Sequence, residues 1–239
     1  LGRRLKALKF DTPFADLQPT HTYPDLSAIK EAVAKVGRRI QSGGLDPELL
    51  PMVFGFAGYG NVSTGAREIL DALSAASVEP DELAALHVRK NFDSRKIYKV
   101  VFREAHMVAP IEGESAFDLD EYYHHPERYR SRFTPYLPYL TVLMNCIYWD
   151  DRYPRLFTLE DCRRMWTADR RPRLRVIGDI SCDPNGSVQC TVRATDPGNP
   201  VYVYDPAQQA AVDGVAGDGP VVMAVDILPT EIPREASDP

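Results

Sequence analysis

The sequence lacks any apolar run long enough to cross a membrane. The longest, around residues 52–56 and 221–225, are strand-sized, whereas a bilayer requires about 20 residues. A secretory signal is missing too, since the first ten residues, LGRRLKALKF, are basic with no apolar block. Cysteine is scarce. Cys146, Cys162, Cys182 and Cys190 form no CxxC pair and no metal-finger spacing. They read as reduced thiols of a cytoplasmic protein, or of the mitochondrial matrix if the source is eukaryotic. There is no basic excess either. The 28 Lys+Arg stand against 34 Asp+Glu, a formal net charge of −6, which argues against nucleic acid and an anionic membrane surface as partners. Internal repeats and low-complexity tracts are absent.

What is present is ordinary globular composition, 44% hydrophobic and 26% charged. A chain of this length buries roughly 70% of its unfolded surface without a disulfide or metal staple. It begins at Leu1, its first methionine is Met52, and it stops at PREASDP without a closing element. It therefore reads as a piece of a longer protein.

Periodicity organises the chain. Residues 1–9 read as the end of a basic helix, and residues 11–25 as a polar connector with three prolines. Residues 26–40 place Ile29, Val33, Val36 and Ile40 on one helical face, with Gly43 and Gly44 as stops. MVFGFA, residues 52–57, is an apolar run expected of a strand buried on both faces. A helix over residues 62–73 follows. Weaker strand signals lie at 77–79 and 97–101, with a short helix at 81–86 between them. Residues 117–132 read as helical turns on the surface. Buried strands are expected at 139–145, 174–179 and 221–226, a helix at 159–166, and an edge strand at 200–204. This alternation predicts an α/β, Rossmann-like, doubly wound and mostly parallel sheet with helices on both faces. Residues 1–50 would be a linking helix, connector and amphipathic helix, and residues 51–239 the dinucleotide-binding domain.

The sharpest motif is FGFAGYGNVSTGAREIL, residues 54–70. A buried strand runs into Gly58-x-Gly60 and then into a helix, the arrangement in which a pyrophosphate meets close-approaching backbone and free helix N–H groups. Gly58, Tyr59, Gly60, Asn61, Val62 and Ser63 are the cofactor-binding candidates here. Ser63 stands where GxGxxG has its third glycine. It is small enough for close packing, and its hydroxyl is placed to reach a phosphate. Glu79, 19 residues beyond Gly60, is a candidate for the ribose hydroxyls and favours NAD. Arg89, Lys90, Arg95 and Lys96 offer a 2′-phosphate site, or simply a solvated basic face.

Three more loops leave buried strands with polar residues: Asn145, Cys146, Ile147 and Tyr148; Asp179, Ile180 and Ser181; and Asp226 with Leu228. Asp179 and Asp226 are each either a ligand contact or a cap. His124, His125 and Glu127 are not read as a metal site, because adjacent histidines point apart. Cys146 and Cys182 read as core-edge thiols, with no histidine to activate them, and His106 as structural.

Four blocks carry a family resemblance: GYGNVSTGAREIL, NCIYWDDRYPRLFT, IGDISCDPNGSVQ and VDILPTEIPREAS, in that order. Together they resemble lysine–2-oxoglutarate reductase, the saccharopine-forming front half of aminoadipic semialdehyde synthase. They are more distantly similar to the lysine-forming saccharopine dehydrogenase of fungi. The resemblance covers nearly the whole chain. It implies two Rossmann-like domains related to alanine dehydrogenase, of which this chain is the second, with a catalytic Lys and His in an upstream substrate domain that nothing here matches. It implies NADPH, or NADH in the fungal form, as cofactor. Lysine, 2-oxoglutarate and saccharopine would be the small-molecule partners, with homo-oligomerisation left open. Asp226 is then a candidate for holding a substrate ammonium or orienting the nicotinamide ribose, and Arg234 for a substrate carboxylate or a salt bridge to the upstream domain. A non-catalytic dinucleotide-binding module and another alanine-dehydrogenase-like enzyme are the competing readings.

Overall fold

The computed structural model describes residues 1–88, 92–111, 116–169 and 171–236. Arg89 and Lys90 of the basic cluster lie outside these. The chain opens with helix α1 (Gly2–Ala7) and a connector with two short 3-10 turns. Helix α2 (Leu26–Gly43) follows, capped by the Asp25 carboxylate, which accepts from Ala28 N–H at 2.8 Å. Then come β1 (Met52–Ala57), α3 (Asn61–Asp71), β2 (Ala76–Ser77), α4 (Leu83–Val88) and β3 (Ile97–Phe102). Next are α5 (Glu104–Met107), β4 (Val108–Pro110), α6 (Leu119–His124) and β5 (Tyr129–Ser131). The second half holds β6 (Val142–Asn145), α7 (Leu159–Ala168), β7 (Val176–Asp179), β8 (Val201–Asp205), β9 (Ala210–Asp213), β10 (Val221–Met223) and α8 (Pro233–Ala236).

Eight strands form one sheet in the order β2-β3-β1-β6-β7-β10-β8-β9. The first six are mutually parallel, and β8 is antiparallel to both β10 and β9. The chain is thus an α/β protein with a doubly wound, mostly parallel sheet. Strand alternation sorts the core into two layers. Met52, Phe54 and Phe56 of β1 face the layer containing Val36 and Ile40 of α2 and Leu70 of α3. Val53 and Ala57 face the layer of Leu83 and Cys162. Leu5 and Phe14 belong to the first layer, so residues 1–50 pack into the same core as the sheet. Gly37 is where α2 crosses α3: a Cβ there would lie 2.9 Å from the Leu73 Cα.

Two elements differ from the periodic reading. The strand at Val201–Asp205 is interior, not an edge. The outer strand is β9, whose small and acidic residues (AAVD) carry no apolar signal. The segment 117–132 is only partly helical. Its end, β5, pairs with β4 in a separate two-stranded ladder, and Tyr122 and Tyr129 are buried in an aromatic cluster with Phe117. Tyrosines with one polar tip mimic a surface pattern in sequence while burying their rings.

Candidate functional site

The parallel strands deliver their carboxyl ends to one edge of the sheet. From β1 the chain leads out to β2 and β3; from β6 it leads the other way, to β7 and β10. The gap between β1 and β6 is therefore the topological switch point, where open α/β sheets bind ligands. Three strand ends are tied there: Gly58 N–H donates to the Phe102 carbonyl and Cys146 N–H to the Ala57 carbonyl, each at 3.0 Å.

Gly58 has φ +93, and a Cβ at that position would come within 3.0 Å of Ile147 Cγ2 and 3.2 Å of the Cys146 carbonyl oxygen. Both the backbone conformation and the space require glycine. Gly60, at the start of α3, is different: a Cβ there meets nothing within 4 Å. It supplies no capping side chain, so the first N–H groups of α3 are left to an outside acceptor. Tyr59, Gly60, Asn61 and Val62 are exposed around this opening. Ser63 is fully buried and its hydroxyl has no hydrogen-bond partner among the described residues. It sits in the close helix–strand contact and lines neither of the pockets described next.

Two pockets flank the β6 loop and share Cys146, Ile147 and Tyr148. One, of about 310 Å³, is lined by Gly58, Tyr59, Gly60, Glu104, Met107, Tyr122, Tyr123 and Tyr153 as well. The other, of about 430 Å³, adds Val62, Trp149, Ile180, Ser181 and Asp183. The Ser181 hydroxyl donates to the Ile147 carbonyl and joins the β6 and β7 loops. A third cavity, of about 370 Å³, lies away from the strand-end loops, between Arg163 and Trp166 of α7 and the Asp205–Pro206 turn. It contains none of the candidate residues.

Asn145 and Asp179 sit beneath the loops. The Asn145 Nδ2 donates to Asp179 Oδ1 and to Ser187 Oγ, both at 2.7 Å, and Thr191 Oγ1 donates to Asp179 Oδ2 at 2.5 Å. Both residues are at most 1% exposed. Burial pushes the Asp179 carboxyl up, against the donors that hold it down. This network locks β6 to β7, and its carboxylate is spent inside the protein. Asp226 is exposed just after β10, Leu228 is half-buried, and Arg234 is exposed in α8. None of the three lines either pocket. Glu79 stands beyond β2, the outermost strand, and its N–H is taken by Glu82 Oε2 at 3.0 Å.

The basic cluster reads differently in three dimensions. Arg95 and Lys96 precede β3, whose first residue pairs with Met52. They lie at the amino end of the strands, roughly 20 Å from the glycine turn along the sheet. They are surface charges; Lys96 approaches Asp93 at 3.9 Å. Burial pushes the Cys146 thiol up to about 11. The Cys182 thiol is raised as well, by burial and by Asp179, Asp183 and Asp226. The Nδ1 of His124 lies 2.8 Å from the Asp120 carbonyl, and that of His125 3.2 Å from Glu127 Oε1. Among the described residues no group of three or more His, Cys, Asp or Glu is set to hold a metal ion. No helix among them is long and apolar enough to cross a membrane.

Sequence reasoning missed Arg103, Glu104, Met107, Tyr122, Tyr123 and Tyr153. Arg103 and Glu104 directly follow the 97–101 strand signal, so the strand-end rule applied there finds them. Tyr122 and Tyr123 carry no such signal, because they sit on α6 between the paired strands β4 and β5; Tyr153 lies farther along the loop that leaves β6.

No protein-family model matches the chain. It is similar to the alpha-aminoadipic semialdehyde synthase of Arabidopsis thaliana, 38% identical over 247 residues, covering 99% of this chain and 23% of that protein. The mitochondrial alpha-aminoadipic semialdehyde synthase of Mus musculus is 37% identical over 252 residues, 100% of this chain and 27% of the other. A saccharopine dehydrogenase (NAD(+), L-lysine-forming) of Schizosaccharomyces pombe is 32% identical over 103 residues, 41% of this chain and 24% of that one. Among solved structures, an L-alanine dehydrogenase covers 87% of this chain and 48% of its own at 16% identity and a TM-score of 0.40. The chain spans about a quarter of the length of the synthases it matches. From end to end of its own length it is a homologue of that quarter of the alpha-aminoadipic semialdehyde synthases.

Proposed function

We propose that the crevice between β1 and β6 binds a nicotinamide dinucleotide, NADPH by preference. In this reading the chain is the nucleotide-binding part of an oxidoreductase that reduces the imine of L-lysine and 2-oxoglutarate to saccharopine. The observation that carries the reading is the glycine turn itself. At the switch point it leaves open space at Gly60, in front of an uncapped helix start, which is the cradle a pyrophosphate fills. The backbone of Gly58 to Val62 would hold the phosphates. The pocket of Tyr59, Tyr122 and Tyr123 would take one end of the dinucleotide, and that of Val62, Ile147, Ile180 and Ser181 the other. Burial raises the Tyr122 and Tyr123 hydroxyls well above their usual range, so these two stay neutral, and Glu104 beside them accepts from the Tyr123 hydroxyl. When bound, the dinucleotide supplies the hydride; the chain's own residues place it and keep water out.

Among the described residues neither pocket is lined by lysine or histidine. The groups that move protons are therefore assigned to an upstream substrate domain of the same protein. Asp226 and Arg234 are assigned to its substrate, as ammonium and carboxylate partners. Residues 51–239 form the dinucleotide-binding domain in this reading, and residues 1–50 the segment that links it forward. The mouse and cattle relatives are named as mitochondrial; the same matrix setting is proposed for this protein if its source is eukaryotic, and the cytoplasm otherwise. The absence of lysine and histidine at the pockets also favours a second reading, a dinucleotide-binding module without turnover.

The test is titration with NADPH and with NADH, followed by nicotinamide fluorescence, on the wild-type chain and on Gly60→Val. Binding that weakens at least about tenfold in the variant supports the reading. No binding of either dinucleotide overturns it. Lysine- and 2-oxoglutarate-dependent NADPH oxidation is expected from the protein joined to its substrate domain and not from these 239 residues alone. Its absence in the joined protein would favour the module.

A further inference from the structure

The strand order decides which residue meets the outer ribose of a dinucleotide. In a doubly wound sheet that ribose falls at the carboxyl end of the strand adjoining the phosphate strand, on the side away from the switch point. Here the adjoining strand is β3, which pairs with β1 along its whole length, from Met52 with Ile97 to Ala57 with Phe102. The strand that follows the first crossover in sequence, β2, is one place further out and pairs only with Tyr98 and Lys99 of β3. Counting residues downstream of the glycines leads to Glu79. Counting strands leads to Arg103, the residue that leaves β3.

Arg103 is held in place. Its backbone N–H donates to His106 Nδ1 at 3.0 Å. Its guanidinium lies 4.6 Å from the centre of the Tyr59 ring, inside the glycine turn. Among the described residues no carboxylate pairs with it. The adjacent Glu104 is engaged elsewhere, accepting from the Tyr123 hydroxyl at 2.8 Å. The side chain presented at the ribose position is thus a cation over an aromatic face, with no carboxylate partner among the described residues.

We infer that Arg103 reads the adenosine 2′-position and selects a dinucleotide carrying a 2′-phosphate, NADPH over NADH. The inference rests on the dinucleotide reading above. Its physical basis is pre-organisation. A guanidinium stacked on Tyr59 has less freedom left to lose, and its planar fork matches a phosphate in a way an ammonium does not. The neighbourhood is mixed in charge: Arg132 and Arg103 bear on the His106 ring from one side of the balance, Asp81 and Glu79 from the other. A 2′-hydroxyl would leave Arg103 unpaired, and a 2′-phosphate pairs it.

The test separates the adenosine end from the rest of the cofactor. Adenosine 2′,5′-bisphosphate and AMP are titrated calorimetrically, and NADPH and NADH by fluorescence, against wild type, Arg103→Gln, Arg103→Lys and Glu79→Gln. Arg103 is exposed, so the variants are expected to fold. Arg103→Gln should weaken the bisphosphate and NADPH about ten- to a hundredfold, and leave AMP and NADH within about threefold. Arg103→Lys should fall between, and Glu79→Gln should leave the preference unchanged. Equal weakening of phosphorylated and unphosphorylated ligands, no weakening, or a wild-type preference for NADH overturns the assignment while the dinucleotide reading stands. Failure of the wild type to bind any of the four probes overturns that reading, and this inference with it.

Discussion

The two ends of the parallel strands treat their polar groups in opposite ways. At the amino end, Arg4 of α1 is 4% exposed and donates to three carbonyls ahead of β10: Val215 at 2.8 Å, Gly217 at 3.0 Å and Gly219 at 2.7 Å. At the carboxyl end, the start of α3 has no cap, Gly60 faces open space, and Tyr148 is 80% exposed. An unpartnered buried polar group costs about 1–3 kcal/mol. The end where one buried guanidinium holds three carbonyls therefore carries stability, although the Arg4 Nε has no partner among the described residues. An end that leaves donors facing outward carries it only with water or a ligand in place. One end holds the chain together, and the other is built to be completed.

That contrast can be broken by mutation. Arg4→Met strips the donors from three carbonyls and should cost about 3 kcal/mol or more, read as a lower urea midpoint with an unchanged slope. A loss below about 1 kcal/mol would mean that the clamp is idle. Within the same half of the fold, Gly37→Ala should cost about 1–2 kcal/mol, because the new methyl group meets the Leu73 backbone at 2.9 Å. Gly60→Ala is its counterpart at the open end. With φ −71 and nothing within 4 Å, it should stay within about 0.5 kcal/mol of wild type while weakening dinucleotide binding. If Gly60→Ala unfolds the protein, or Gly37→Ala is silent, the division of labour fails.

A gentler effect is a pH slope. Burial holds the His87 and His106 rings below the ordinary histidine value of 6.5. His87 Nδ1–H donates to the Leu83 carbonyl at 2.9 Å, and its buried Nε2 has no partner among the described residues, so a second proton there would find no acceptor among them. His106 Nδ1 is already occupied by the Arg103 N–H. Below pH 6.5 the unfolded chain takes up protons that the native rings resist. Stability therefore falls as pH drops through 6.5 toward the lower native values. The urea midpoint should be lower at pH 5.5 than at pH 7, and His87→Gln with His106→Asn should flatten that slope. A level wild-type profile would contradict it.

Much of the fold was legible locally. The run 52–57 reads as a strand buried on both faces, and all six of its residues are buried. The glycine turn and the amphipathic α2 and α3 follow from spacing and stop signals. The candidate site was legible in outline. Gly58, Tyr59, Gly60, Val62, Cys146, Ile147, Tyr148, Ile180 and Ser181 converge on the two pockets. Ser63, Asn145 and Asp179 do not, because burial on the inner side of a turn or strand cannot be told from exposure at its end by residue type alone. The β4–β5 ladder was illegible for a related reason. Three-residue strands carry almost no periodic signal, and their pairing is decided by the aromatic cluster they enclose.

By itself the sequence determined the local grammar of this protein: which stretches are strand or helix, and where glycine must replace a side chain. Those outcomes depend on neighbours within a few residues, on apolar spacing, caps and φ. Only the tertiary structure decided strand order. Order is a matter of pairings between distant segments, such as Met52 with Ile97 or Val142 with Val176, whose closure no short window records. That single non-local choice set β3 beside β1, sent Arg95 and Lys96 to the far end, and brought Arg103 onto the ring of Tyr59.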